Sequence, residues 1–286
     1  MDSETSILAD LLGNVSPTRF FDENYLRLPF ACVNGCQRFA PLADADLLLR
    51  LLQDPASDAV IAIGGNKLQG VRPKTADELE RLLVAGHTVG IRHAERHDAA
   101  LAELCCRFQD VFAGPINIHL YCTHAEKHGF DWHYDAEEVF ILQTFGQKEW
   151  YLRKNTVHPW PLVDSIPVDQ HYEREIMPVL HCSLAAGDWL YIPNGYWHRT
   201  TAKTRSLSLS VGIKAITAMD VYDRLRERLA RSIRWRQRLP YSGVANPTPK
   251  SQQSAIFSEV LKELSDDLVK EFNDPRFTDS LIHPAH

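Results

Sequence analysis

The strongest constraint on the fold is a change in the character of the sequence at residue 116. From there to residue 213 the chain is a series of short runs rich in β-branched and aromatic residues, separated by Gly, Pro, Asn and Asp. The runs are INIHLYCT, EEVFILQTF, KEWYLR, DWLYIP and RSLSLSVGI. Many short strands at close spacing are typical of a β-sandwich or barrel. We therefore expect residues 116–216 to form a β-rich core.

Predicted helices precede this region. Three segments have apolar residues at helical spacing, namely PLADADLLLRLLQD, TADELERLLVAG and ERHDAALAELCCRFQDVF. Ser16 and Pro17 form a helix-start signal ahead of them. We expect residues 1–115 to be a mixed, mainly helical layer that covers the core.

The C-terminal part, residues 217–286, is also predicted to be helical. One predicted helix has an apolar face formed by Tyr222, Leu225, Leu229 and Ile233. After the linker-like stretch LPYSGVANPTPKSQQS, a last helix has an apolar face formed by Phe257, Val260, Leu264 and Leu268. We expect this region to be a helical appendage to the core.

Composition limits the class of protein. Of the 286 residues, 44% are hydrophobic and 24% are charged, which is enough apolar surface for a large core. The net charge of −6 argues against a surface built as a whole to bind nucleic acid. The sequence contains no run of apolar residues long enough for a membrane span and no basic secretory start, so we expect a cytoplasmic protein. Six cysteines are too few for a disulfide scaffold, and Cys32 and Cys36 lack the second ligand pair of a zinc finger.

The chemistry-bearing residues begin with His133 and Asp135 in DWHYDAEEVF. On a strand, residues i and i+2 point to the same face. The segment AAGDWLYIPNGYWHRTT adds a third candidate ligand, His198. Two imidazoles and one carboxylate leave coordination positions open, as in non-heme Fe(II) oxygenases. The competing interpretation is a pair of structural histidines. His171 and Glu173 form a similar pair that we do not expect to bind metal.

Lys148 is the next candidate, in the segment FGQKEWYL. In a strand it shares a face with Trp150 and Leu152. A lysine between two apolar side chains on an inward face needs an anionic partner, because a buried unpaired ammonium is costly. A dicarboxylate co-substrate that chelates iron at one end can supply that anion. The alternative is a solvated lysine whose stem passes Trp150.

These motifs resemble the JmjC branch of the Fe(II)/2-oxoglutarate dioxygenases. The matching segments are GFDWHYDAEEVFILQTFGQKEWYL and GDWLYIPNGYWH. The likeness is greatest to the ribosomal oxygenases and to the asparaginyl hydroxylase that acts on hypoxia-inducible factor. It implies a double-stranded β-helix (jelly-roll, cupin-type) core with N-terminal helices and a C-terminal helical appendage, and Fe(II) held by His133, Asp135 and His198. It also implies that Lys148 binds the distal carboxylate of 2-oxoglutarate and that O2 is the oxidant.

The resemblance extends to other contacts with 2-oxoglutarate. INIHLYCTHAEKHGF resembles the ribosomal-oxygenase segment that reads Asn-x-Tyr-Leu-Thr, and Tyr121 and Thr123 match it. His119 stands where that segment has Asn, and Phe130 stands where the asparaginyl hydroxylase has a Thr. In RSLSLSVGI, three serines share the face opposite the apolar residues, and Ser210 is a further candidate contact. The alternative role for these serines is a hydrogen bond to neighbouring backbone.

The resemblance implies hydroxylation of a C–H bond coupled to decarboxylation of 2-oxoglutarate, with a protein or peptide side chain as the expected substrate. The alternative substrate is a small metabolite or natural-product intermediate. Other classes are a cupin that uses Zn(II) or Ni(II) without redox chemistry, a catalytically silent binding module and a histone-lysine demethylase. A cupin without redox chemistry would have no role for Lys148. A catalytically silent binding module would tolerate loss of a metal ligand, whereas all three ligand positions are filled in this sequence.

The segment RLRERLARSIRWRQR is rich in arginine, while the last predicted helix is acidic. Binding to RNA or the ribosome is one interpretation of the arginines. We favour pairing of the two helices, within one chain or across a homodimer, because related oxygenases carry a helical dimerisation region after the barrel.

Overall fold

Two antiparallel sheets form the core in the computed structural model, which describes residues 6–64, 66–128, 130–162, 175–214, 216–239 and 249–282. Within these ranges the strands are β1 Phe30–Cys32, β2 Asp58–Ile63, β3 Asn66–Lys67, β4 Thr88–Arg92, β5 Ile116–Thr123, β6 Glu138–Phe145, β7 Gln147–Arg153, β8 Leu180–Ala185, β9 Trp189–Ile192, β10 Trp197–Ala202 and β11 Ser206–Ile213. The larger sheet has the order β1-β9-β6-β11-β5-β4-β2-β3, and the smaller has the order β10-β7-β8.

The two sheets face each other across an apolar cluster. Val139 and Ile141 of β6 pack there with Trp150 and Leu152 of β7. A cavity continues from this cluster between the sheets and is lined by residues of both. The predicted double-stranded β-helix core is confirmed.

Helices cover the opposite face of the larger sheet. They are α1 Ile7–Leu12, α2 Pro17–Glu23, α3 Ala45–Gln53, α4 Ala76–Val84 and α5 Ala99–Gln109. Ser16, Asp44, Thr75 and Asp98 cap four of them through side-chain oxygens that accept backbone N–H groups. Alternation along β5 and β11 follows from this layering: Leu120 and Leu209 face the helices, while Tyr121 and Ser208 face the cavity.

The N-terminal segment is more than the covering layer that its helical spacing predicts. Four strands within residues 1–115 belong to the larger sheet, and β4 pairs with β5 across the predicted boundary at residue 116. The predicted helix 95–112 is shorter, because Ala94–Arg96 is a 3₁₀ turn and α5 begins at Ala99. Within α5, Cys105 is buried and Cys106 is exposed.

The chain divides into two compact units, residues 1–215 and 216–286. The second contains α6 Ala218–Leu229, α7 Ile233–Arg236, α8 Lys250–Phe272 and α9 Pro275–Ile282. Arginines and acids pair within it, since Arg228 contacts Glu271 and Asp274 and Arg234 contacts Asp267. No helix in the described ranges is long and apolar enough to cross a membrane.

The predicted apolar face of the first C-terminal helix is only partly buried. Leu225 is buried, but Tyr222 is 56% and Ile233 71% exposed. Ile233 does not share a helix with the other three residues, because α6 ends at Leu229. The predicted face is wrong at Ile233 for this reason.

Candidate active site

Three predicted ligands come together at one end of the cavity. The ligand atoms of His133, Asp135 and His198 lie within 4.8 Å of one another. A short backbone bridge aligns the two histidines, with His133 N–H donating to the His198 carbonyl (3.1 Å) and His198 N–H to the His133 carbonyl (2.7 Å). His133 lies just before β6 and His198 lies on β10, so the pairing brings together distant parts of the sequence. In the described residues this is the one cluster of three or more His, Cys, Asp or Glu side chains that fits a metal ion.

Backbone contacts fix the orientation of both imidazoles. Nδ1 of His133 lies 2.7 Å from the Asp131 carbonyl oxygen, and Nδ1 of His198 lies 3.0 Å from the Tyr196 carbonyl oxygen. Because a carbonyl can only accept, each Nδ1 carries the proton and each Nε2 is left as a ligand atom. Burial lowers the pKa of His198 to about 4, which keeps this ring neutral. A neutral ring is the form that binds metal.

Asp135 supplies the anionic group of the cluster. Its side chain is 49% exposed, and Oδ2 lies 3.5 Å from Nε2 of His198. Its backbone carbonyl accepts a hydrogen bond from Gly195 N–H at 2.9 Å, which ties it to the turn before β10. The carboxylate therefore faces the cavity from a fixed backbone.

The cavity has a volume of about 390 Å³. Its polar lining from the larger sheet includes Thr88, Arg92, His119, Tyr121, Thr123, Ser208 and Ser210. The smaller sheet contributes Lys148, Trp150, His198 and Thr200. Phe130 lines it beside the histidine cluster, with its ring centroid 5.5 Å from that of His133. This volume is in the range of sites for small ligands.

Lys148 is a buried residue that lines the cavity. The residue is 4% exposed, Nζ lies 3.5 Å from Ser208 Oγ, and the Trp150 ring centroid is 6.0 Å away. Within the described ranges, no Asp or Glu forms an ion pair with it. Burial lowers the pKa of Lys148 to about 8. Burying an unpaired ammonium costs free energy, and an anionic ligand beside Lys148 would offset that cost. The cavity therefore favours a carboxylate or phosphate at this end.

The remaining predicted contacts also line the cavity. Tyr121 and Thr123 face it from β5, and Thr123 Oγ1 is 2.9 Å from Thr88 Oγ1. Ser210 lines it opposite His119 in the β11–β5 register. His171 and Glu173 lie outside the described residues.

Several lining residues were not singled out from the sequence. Ser208 contacts Lys148. The sequence predicts the serine face of β11 but not this contact. Thr88 and Arg92 belong to β4, a strand of five residues in a region that was predicted to be mainly helical. Glu137 also lines the cavity, and its position two residues after Asp135 was the available signal in the sequence.

Part of the chain matches a known protein family. Residues 92–221 match the sequence profile described as "JmjC domain". This stretch of the chain is similar to a JmjC domain. The bifunctional lysine-specific demethylase and histidyl-hydroxylase NO66 of Drosophila sechellia is 28% identical over 144 residues, which cover 50% of this chain and 22% of that protein. NO66 of Dictyostelium discoideum is 31% identical over 132 residues, which cover 45% of this chain and 25% of that protein. The chain thus aligns with about a quarter or less of these relatives.

Solved structures share the fold of this chain. YcfD, a ribosomal oxygenase from Escherichia coli, in complex with cobalt and 2-oxoglutarate superposes with a TM-score of 0.65 at 18% identity. The match covers 94% of this chain and 70% of that chain. A further YcfD structure gives a TM-score of 0.63 at 17% identity and covers 69% of that chain. At this identity the likeness shows the fold alone.

Proposed function

We propose that this JmjC protein is an Fe(II)- and 2-oxoglutarate-dependent hydroxylase that acts on a side chain of a protein or peptide. The observation that carries the proposal is one cavity that holds both a metal-binding cluster and a buried lysine, Lys148, for which the described residues supply no acidic partner. Two imidazole Nε2 atoms and one carboxylate suit a divalent transition metal and leave positions open for other ligands. The solved relative with cobalt and 2-oxoglutarate supports this pairing of metal and co-substrate.

His133, Asp135 and His198 would hold the iron. The chemistry that bound iron and 2-oxoglutarate supply is oxidation by O2, which yields succinate, CO2 and a hydroxylated C–H position. The backbone carbonyls of Asp131 and Tyr196 keep the Nδ1 protons in place, so neither histidine must change tautomer to bind metal.

Lys148 would bind the distal carboxylate of 2-oxoglutarate. Its buried ammonium offers a charge-assisted hydrogen bond, and Ser208 beside it offers a hydroxyl. Tyr121, Thr123 and Ser210 line the same cavity and are the proposed further contacts. Val139, Ile141 and Trp150 provide apolar walls that limit the access of water to the cavity.

A protein substrate is proposed from the relatives. NO66 is named for histidyl hydroxylation and lysine demethylation, and YcfD is described as a ribosomal oxygenase. The corresponding test is mass spectrometry of cell extract incubated with the protein, Fe(II) and 2-oxoglutarate. We expect a gain of one oxygen on a specific peptide and no gain with Asp135→Ala. Production of succinate without any modified peptide would favour a small-molecule substrate.

We also propose that the protein is a cytoplasmic homodimer assembled through residues 217–286. Exposed apolar side chains in this unit support assembly, among them Tyr222, Ile233, Leu261, Val269 and Phe272. Arg228 and Arg234 pair with acids of the same unit, which leaves fewer arginines for RNA.

A further inference from the structure

A row of stacked side chains crosses the face of the smaller sheet that points away from the cavity. Its members come from four segments of the chain, in the spatial order Trp132, Arg199, Tyr151 and His181. The guanidinium carbon of Arg199 lies 5.2 Å from the ring centroid of Trp132 and 5.0 Å from that of Tyr151. The Tyr151 ring stacks on the His181 ring, with the centroids 4.8 Å apart. The cavity lining does not include these four side chains, so the proposed iron and 2-oxoglutarate contacts do not explain the row.

The row begins on the segment that carries two of the three proposed metal ligands. The described residues between β5 and β6 belong to no strand. Backbone hydrogen bonds attach this segment to β10, where Glu126 N–H donates to the Ala202 carbonyl at 2.7 Å and His133 exchanges two hydrogen bonds with His198. A segment outside the regular ladders opens at a lower free energy than the sheet beside it, unless side chains hold it in place. The position of His133 therefore depends on side-chain contacts.

Side-chain pairs flank the histidine bridge on both sides. In an antiparallel bridge, the residue before each histidine stands opposite the residue after the other. Both flanking pairs are in contact: Trp132 with Arg199, and Tyr134 with Trp197, whose ring centroids are 4.7 Å apart at an interplanar angle of 88°. Successive side chains of an extended chain alternate in direction, so these pairs lie behind the two histidines that face the cavity.

Arg199 connects the ligand segment to the centre of the smaller sheet. It lies opposite Tyr151 in the register of β10 and β7. A planar guanidinium between two rings combines stacking with cation–π attraction. A slip of one residue in the ligand segment would take Trp132 off Arg199 and turn His133 to the other face of the sheet. The stack therefore favours the register in which His133 faces the cavity.

We propose that Trp132 and Arg199 are positioning residues for the metal-binding cluster, an inference that rests on the proposed hydroxylase function. Their stack holds the ligand segment in register with β10, which keeps Nε2 of His133 within reach of a metal bound to His198. Without the stack, the segment spends part of its time in other conformations. The apparent metal affinity then falls in proportion to the fraction that remains competent to bind.

Hydrogen exchange of backbone amides measures the register without any metal. The amides of His133 and His198 donate the two hydrogen bonds of the bridge, so their exchange in the full chain, followed by NMR, reports opening of this segment. We expect Trp132→Leu and Arg199→Met each to raise the exchange rates of these two amides about five-fold. Amides of β5, in the larger sheet, should keep their native rates.

Metal affinity tests whether the register matters for the proposed site. The full chain is titrated with Co(II) in the absence of 2-oxoglutarate, and the visible absorption of the bound ion reports both its affinity and its ligands. Trp132→Leu and Arg199→Met should each weaken Co(II) binding about five-fold. The double variant should weaken it little further, because either substitution alone breaks the same stack.

Two control variants separate positioning from a general loss of stability. Trp132→Phe keeps a ring face for the guanidinium and should recover most of the native affinity and exchange rates, even if Trp132→Leu does not fold. Arg231→Met makes the same change as Arg199→Met at an exposed position in the other unit and should leave both measurements unchanged.

Native exchange rates at both bridge amides in Trp132→Leu and Arg199→Met would overturn this inference. An equal rise at the β5 amides would overturn it as well, since the effect would then be global. Unchanged Co(II) affinity in both variants, or losses that multiply to about 25-fold in the double variant, would also contradict it. Failure of the native chain to bind Co(II) would instead count against the proposed function, because the exchange measurement needs no metal.

Discussion

Among single residues, Lys148 gives the sharpest prediction. Lys148→Ala removes the proposed partner of the distal carboxylate and should weaken 2-oxoglutarate binding by about 1.5–3 kcal/mol, or about 10- to 100-fold. Metal affinity should stay nearly unchanged, because Lys148 is not part of the metal-binding cluster. Isothermal titration with Mn(II) and then 2-oxoglutarate measures both. An unchanged affinity for 2-oxoglutarate would remove Lys148 from the site.

The pH dependence of that affinity is a separate prediction. Burial lowers the pKa of Lys148 to about 8 in the free protein, so its ammonium is lost as pH rises through this value. A bound carboxylate favours the ammonium, so binding takes up a proton above pH 8 and affinity should fall up to about ten-fold per pH unit there. Lys148→Arg is the matched control, since arginine stays charged and its profile should be flat over pH 7–10. Parallel profiles for the two proteins would contradict this role.

Sequence patterns identified the ligand residues better than their neighbours. His133 and Asp135 are two residues apart, and His198 follows a recognisable turn, so local spacing predicts a shared face. The residue that contacts Lys148 could not be predicted in the same way. The serine face of β11 is visible in the sequence, but Ser208 rather than Ser210 contacts Lys148, because the strand register is set by pairing with β5 and β6.

Among the strands, β4 and β5 are fitted to each other at Gly90. A Cβ at this position would collide with the Tyr121 ring and lie 2.7 Å from the Leu120 carbonyl oxygen. Gly90→Ala should therefore lower the free energy of unfolding by about 1–3 kcal/mol through overpacking. Urea denaturation measures the change.

A double variant separates the ring from the backbone in this effect. In a Tyr121→Ala background the ring is absent, so Gly90→Ala should cost less than in the native protein. Equal costs in the two backgrounds would show that the ring does not need the space at Gly90. Tyr121→Ala alone should also weaken 2-oxoglutarate binding if Tyr121 contacts this co-substrate.

Strands differ in how well the sequence predicts them. β5 coincides with INIHLYCT, because its alternation of buried and cavity-facing residues gives a β-branched and aromatic run. β8 was missed although Leu180, Cys182 and Leu184 alternate with His181 and Ser183, because this short and mostly exposed run lacks β-branched and aromatic residues. β10 was missed for a related reason: WHRTTA follows a turn and carries polar side chains. Their positions depend on pairing with β7, which is a long-range property.

For the molecule as a whole, the C-terminal unit carries the prediction about assembly. Deletion of residues 217–286 should convert a dimer into a monomer prone to aggregation, as measured by multi-angle light scattering. Arg231→Glu with Arg236→Glu changes two exposed arginines and should leave the oligomer intact. An unaltered oligomer after the deletion would show the assembly proposal to be wrong. Loss of a salt-sensitive RNA complex in the charge variant would favour the RNA interpretation.

Helical periodicity alone did not define the packing in this unit. The spacing of Leu225 and Leu229 indicated a helix, and α6 contains both. Among the described residues of this unit, the most completely buried apolar side chain is that of Phe277 in α9. Its ring centroid lies 5.2 Å from the guanidinium carbon of Arg228. An eight-residue helix has too few turns to show periodicity, so its contribution could not be predicted from the sequence.

The proposed function requires one cavity to hold iron on His133, Asp135 and His198 and 2-oxoglutarate on Lys148. A crystal structure of the full chain grown with Mn(II) and 2-oxoglutarate, without turnover, would show both ligands at once. We expect a manganese anomalous peak bonded to the three side chains and one carboxylate of 2-oxoglutarate within hydrogen-bond distance of Lys148 Nζ. A metal bound elsewhere, or 2-oxoglutarate whose carboxylates both avoid Lys148, would contradict this expectation.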